Sequence, residues 1–110
     1  MKKASFLSNI EWNENKPAIQ VLVETSATKE IRIAMQTGQF MKEHKAPFPI
    51  IVQVIQGSIK FGVEGEELQL KIGDIIGLEA NVPHDLVAHE DSVVRLSLSK
   101  MDTLERVKNV

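Results

Sequence analysis

The chain has 110 residues and a mass of 12.3 kDa, which is enough for one domain around one core. Its 13 Lys and Arg against 15 Asp and Glu leave a net charge of −2 with no long run of either sign, so a basic surface for nucleic acid is not expected. Cysteine is absent, which excludes disulfides, thiol catalysis and thiolate metal sites and leaves His and carboxylates as the available metal ligands.

At the N-terminus, MKKASFLSNIEW has two lysines but no apolar run of secretory-signal length behind them, and no segment is long and apolar enough to span a bilayer; a cytoplasmic protein without membrane partners is expected. Then come eight β-rich runs, at 18–25, 29–37, 49–56, 58–64, 66–71, 74–79, 84–90 and 92–99, separated by Gly, Pro, Asn or charged turns. Such even spacing of short strands predicts an all-β sandwich or barrel in a single domain, 1–110. In the second run Ile31, Ile33 and Met35 share one parity and Glu30 and Arg32 the other; Leu68 and Leu70 repeat the pattern, so each of these strands is expected to bury one face. Ile50 to Ile55 is apolar on both parities except at Gln53, which predicts a strand covered on both sides, by the barrel interior and by a partner sheet. EGEE at 64–67 reads as a tight hairpin whose Gly65 takes positive φ. The tail KMDTLERVKNV is the one helical segment: Asp102 and Glu105 have capping-box spacing, and Met101, Leu104 and Val107 form an apolar stripe. About two turns of helix are not stable alone in water, so this helix must pack on the barrel or on another chain.

Two longer patterns carry the chemistry. From Gly38 to Gly57 the chain reads GQFMKEHKAPFPIIVQVIQG, and from Gly73 to Ala88 it reads GDIIGLEANVPHDLVA. These resemble the two motifs of the cupin superfamily of jelly-roll barrels. The first family motif is Gly, five residues, His-x-His, three or four residues, Glu, six residues, Gly. Gly38, His44 and Gly57 match it, whereas Ala46 stands for the second His and Ile50 for the Glu. The second is Gly-Asp, four residues, Pro-x-Gly-x-x-His, three residues, Asn. Gly73, Asp74 and His84 match, Asn81 can take the left-handed turn position usually given to Gly, and the Pro and final Asn positions hold Glu79 and Ala88. The resemblance implies a small single-domain cupin, a double-stranded β-helix with a short C-terminal helix, with motif 1 at 38–57 and motif 2 at 73–88.

In that family the matching histidines point into the barrel and bind a divalent metal with the second His and the Glu. The resemblance therefore implies that His44 and His84 meet across facing strands as two metal ligands, for zinc, iron, nickel or manganese. Two imidazoles fall short of the three or four protein ligands of ordinary zinc sites. Glu43, Gln53, Asp85 and His89 all fall on the wrong parity to complete the set, unless a bulge near APFP reverses one of them. The plainer readings are that His44 is a barrel-mouth residue bonded to backbone or water, and that His89 is a solvated turn residue. For His84 the NVPH turn favours an inward side chain. Phe40, Met41, Phe48 and Trp12 could line a pocket or simply fill core and interface; Phe48, between two prolines beside His44, is best placed for the mouth.

The expected ligand pocket thus comprises His44, His84, Phe48, Ala46 and Ile50. Three function classes follow. The first is a small-molecule-binding barrel, metabolite-sensing through a partner because no helix-turn-helix is present. The second is a metal-dependent dioxygenase, isomerase or decarboxylase on His44 and His84. The third is an interaction module. A symmetric homodimer is compatible with all three, and both the resemblance and the edge strands of a sandwich favour it.

Overall fold

The computed structural model describes residues 1–110. It contains nine strands and one helix: β1 (Ala18–Glu24), β2 (Thr28–Met35), β3 (Phe40–His44), β4 (Ile50–Gln56), β5 (Ser58–Val63), β6 (Glu66–Lys71), β7 (Ile75–Leu78), β8 (His84–Ala88), β9 (Ser92–Ser99) and α1 (Leu104–Lys108). They form two antiparallel sheets, β1-β2-β9-β4-β7 and β3-β8-β5-β6. Eight of the strands match the runs of alternating residues. The ninth, β3, was not expected as a strand.

The inner faces supply the core. Ile31, Ile33 and Met35 of β2, Val94, Leu96 and Leu98 of β9, and Ile50, Val52 and Val54 of β4 pack against Ile59, Phe61 and Leu86 of the other sheet. Phe61 has no exposed surface. Burying one such side chain favours folding by about 1.5–3 kcal/mol.

The β5–β6 hairpin has the expected tight turn, with both Glu64 (φ 52°) and Gly65 (φ 77°) left-handed, the geometry that matches the twist of a two-residue loop. Gly57 is required by a close approach: its φ is 85°, and a side chain there would meet the Asp91 carbonyl at 2.6 Å. Asn81 (φ 67°) takes the left-handed position in the turn before His84, as the resemblance implied.

Three expectations are corrected. Within the chain β4 is covered on its inner side alone: Ile50, Val52 and Val54 are buried, while Ile51, Gln53 and Ile55 form a partly open outer face. Arg32 is not a solvated outer residue but 3% exposed. Its guanidinium donates to the carbonyls of Phe6, Ser8 and Asn9 and to Gln20 Oε1, so the N-terminal segment lies over the outside of the five-stranded sheet and shields a cation that has no acidic partner. Finally, α1 is capped one residue later than the capping-box reading placed it. Thr103 accepts the Arg106 N–H at 3.2 Å, and Asp102 instead takes both arms of the Arg106 guanidinium at 2.7 and 2.8 Å.

The helix packs on its own barrel. Val107 is buried in the core and Leu104 lies against it, whereas Met101 is exposed. Lys29 donates to the Asp102 carbonyl, and Arg106 reaches the Lys45 carbonyl, so α1 links the start of β2 to the segment after β3.

Candidate functional site

His44 ends β3 and His84 begins β8. They are direct partners across adjacent strands of one sheet, rather than across facing strands as the resemblance implied. A bulge explains how His44 comes to face inward. Met41 pairs with Leu86 and His44 with His84, so three steps on β3 match two on β8. Met41 is buried, Lys42 and Glu43 are both exposed, and His44 turns back toward its partner. His84 keeps the regular inward parity of Leu86 and Ala88, while Asp85 lies outside over Gly62.

The rings lie edge to face, with centroids 4.2 Å apart and planes at 61°. Phe61 stacks on the other side of His84 at 5.5 Å and 10°. Both Nδ1 atoms face carbonyls, that of His44 the Lys42 oxygen at 2.6 Å and that of His84 the Val82 oxygen at 3.0 Å. A carbonyl only accepts, so each neutral ring carries its proton on Nδ1 and presents a lone pair at Nε2. Neither Nε2 has a protein partner, yet no buried side-chain nitrogen or oxygen is left unpaired, so both Nε2 atoms reach the surface. Burial lowers the pKa of each ring below its ordinary 6.5, against an opposing pull from the backbone carbonyl; the nearby Arg106 charge lowers both further. The pair is therefore neutral at pH 7.

Of the other expected pocket residues, Ala46 and Ile50 are buried members of the core and Phe48 is half-buried. Four surface concavities are present, and neither histidine lines any of them. His89 is exposed, Trp12 is partly exposed, and Phe40 is exposed on the outside of β3.

A family metal fits these residues poorly. No group of three or more His, Cys, Asp or Glu converges anywhere in the chain, and Ala46 and Ile50 offer no donor atoms where the family has its other two ligands. Two imidazoles do not make the family's metal site.

A two-sheet jelly roll with a pair of inward imidazoles on one wall defines a small single-domain cupin, a double-stranded β-helix. Residues 29–103 match the AraC-like ligand binding domain, and the chain belongs to that family. Solved structures agree on the fold. An RmlC-like cupin protein from Desulfovibrio desulfuricans superposes with a TM-score of 0.82 at 18% identity, over 90% of this chain and 96% of that one. An RmlC-like cupin from Shewanella frigidimarina gives 0.79 at 18% identity, over 96% and 94%. KdgF from a Halomonas species gives 0.72 at 25% identity, over 88% and 94%. No curated protein matches the sequence. No helix is long and apolar enough to cross a membrane.

Proposed function

We propose that this cupin binds a small, neutral, donor-rich molecule, with His44 and His84 as paired acceptors. The observation that carries this reading is the pair of unpartnered Nε2 lone pairs on adjacent rings, each fixed by a backbone carbonyl through Nδ1. Two neighbouring lone pairs suit two neighbouring hydroxyl or N–H donors, as in a polyol, and Ala46 and Ile50 hold apolar side chains where the family has two polar ligands. Such a domain would report a metabolite to a partner rather than transform it.

The test is calorimetric titration with a panel of monosaccharides. Saturable binding by one sugar, lost in both His44→Ala and His84→Ala, supports the reading. Absence of binding across the panel, or binding indifferent to both substitutions, contradicts it.

We infer in addition that two copies associate through the β4–β7 side of the five-stranded sheet. There Ile51 and Ile75 are exposed on the outer face and β7 is an edge strand. Light scattering of the wild type against Ile75→Lys tests this. A dimer converted to monomer is expected, and a wild-type monomer at high protein concentration would contradict it.

A further inference from the structure

The largest concavity lies not at the histidines but on the opposite side of β3. It encloses about 590 Å³ where three distant stretches meet: residues 15–17, 37–42 and the chain end at 109–110. Its lining includes Phe40, a residue 64% exposed. Large aromatic surface left open to water is costly, and in a concavity it is available for stacking. Gly38 lies on the rim, with nothing within 4 Å of where a side chain would begin, so the space beside the ring is open.

Around Phe40 stand Asn15, Lys16, Lys42 and Asn109. None of these four side chains makes a hydrogen bond within the protein: the bonds at Asn15 and Asn109 come from their backbone N–H groups. Neither lysine is in an ion pair, since the chain's four pairs use Lys60, Arg95, Lys100 and Arg106. No Asp or Glu side chain lines the concavity; the one acid on it is the Val110 α-carboxylate, which is in none of the chain's ion pairs. Asp91, which approaches the rim through Thr37, is engaged by the Thr37 N–H at 2.8 Å and hydroxyl at 3.0 Å. The negative charge of this face is gathered elsewhere, in a separate concavity lined by Glu43, Glu64, Glu66, Glu67 and Asp85. The β3 bulge produces this division by sending Lys42 and Glu43 outward in succession to different sides.

We propose that this concavity is a second binding site, for a small aromatic carboxylate whose ring stacks on Phe40 and whose carboxylate lies between Lys16 and Lys42, with the Asn15 and Asn109 amides donating to it. The chemistry follows from what is present: one exposed aromatic residue, two free amides, and two unpaired cations that outnumber the single Val110 α-carboxylate. A neutral ring would leave the lysines unused, and a non-aromatic acid would leave Phe40 exposed. The site is separate from the histidines: His44 turns to the inner side of β3, and His84 stands on the neighbouring β8.

The experiment is titration of 15N-labelled protein with 2-naphthoate, with 2-naphthalenemethanol as the neutral analogue and propanoate as the non-aromatic one. Saturable shifts at the Gly38, Phe40 and Lys42 amides are expected with 2-naphthoate. Binding should weaken about tenfold or more in Lys16→Glu/Lys42→Glu, about fivefold in Phe40→Ala, and not at all in His44→Ala/His84→Ala. In the unaltered protein, raising ionic strength from about 20 to about 500 mM should weaken it as well, a readout that needs no variant. The proposal is overturned if 2-naphthalenemethanol or propanoate binds as tightly as 2-naphthoate. It is also overturned if charge reversal or salt has no effect, or if no saturable shift appears by about 10 mM ligand.

Discussion

The two sides of β3 present opposite solutions to one problem. Inward, His44 sits half-buried beside His84, which stacks on Phe61, with its Nδ1 held by a backbone carbonyl and its pKa lowered by burial. Outward, Phe40 and Lys42 open onto a concavity with their side chains unengaged. The motif histidines line no concavity, and the largest concavity lies on the other side of β3 from His44. Sequence similarity to a family locates the old site of chemistry. It does not say where room for a ligand remains.

Packing variants should separate the two sides most sharply. Phe61→Ala removes a fully buried ring that stacks on His84 and should cost about 3–5 kcal/mol in urea unfolding. Phe40→Ala should stay within about 0.5 kcal/mol of wild type. Equal losses at the two positions would mean that the outer ring is structural and the contrast false.

Restoring the lost donors tests whether the inner side is an altered metal site. Ala46→His/Ile50→Glu buries an unpaired carboxyl in the core and should destabilise the metal-free protein by about 3 kcal/mol. Zinc should return roughly 2.7 kcal/mol once it exceeds its dissociation constant about a hundredfold. A variant that zinc leaves unchanged would show that the β3 and β8 backbones no longer hold the family's ligand geometry.

Arg32 defines a further contrast, between the covered outer face of the β1–β2 half-sheet and the open face of β4–β7. Arg32→Met removes four donor contacts to the N-terminal segment and should cost about 2 kcal/mol, with faster proteolysis within residues 1–16. Unchanged proteolysis would mean that other contacts, such as Gln39 to the Asn13 carbonyl, are sufficient to hold the segment.

The smallest expected effect is in the dependence of stability on pH. Both histidines have folded pKa values below the ordinary 6.5, so as pH falls through about 6.5 the unfolded chain takes up protons first. Stability is full above that value and is lost progressively as pH drops toward the folded pKa. Glu30 contributes later: burial raises its pKa, but hydrogen bonds from Ser97 and Arg95 hold it below 4.5, so its contribution goes only under more acid conditions. Urea unfolding between about pH 8 and about pH 5 should show the decline in wild type and a flatter profile in His44→Gln/His84→Gln. Parallel profiles would place the histidines in a solvated environment.

The regular strands were legible because their inward residues alternate, as Ile31, Ile33 and Met35 do. β3 was not, because its bulge places Met41 inward, Lys42 and Glu43 outward and His44 inward, a pattern without a period of two. Arg32 looked like a surface residue because the segment that covers it, residues 6–9, has no regular structure and no periodic signal. The helix was legible in its Val107 stripe but not in its cap, since Asp102 and Thr103 are both good caps and the Arg106 ion pair decided between them. At the site, motif spacing identified His44 and His84 as partners. That they line no concavity, and that Phe61 stacks on His84, depends on three-dimensional packing with no sequence signal. For the Phe40 concavity, the sequence named one ring but gave no sign that residues 15–16 and 109 would meet it.

The most direct test of the paired-acceptor site is a long-range 1H–15N spectrum of the imidazoles at pH 7. Both rings should carry the proton on Nδ1 and leave Nε2 unprotonated, and both should titrate below 6.5. A proton on Nε2 of either ring, or a titration above 6.5, would contradict the account.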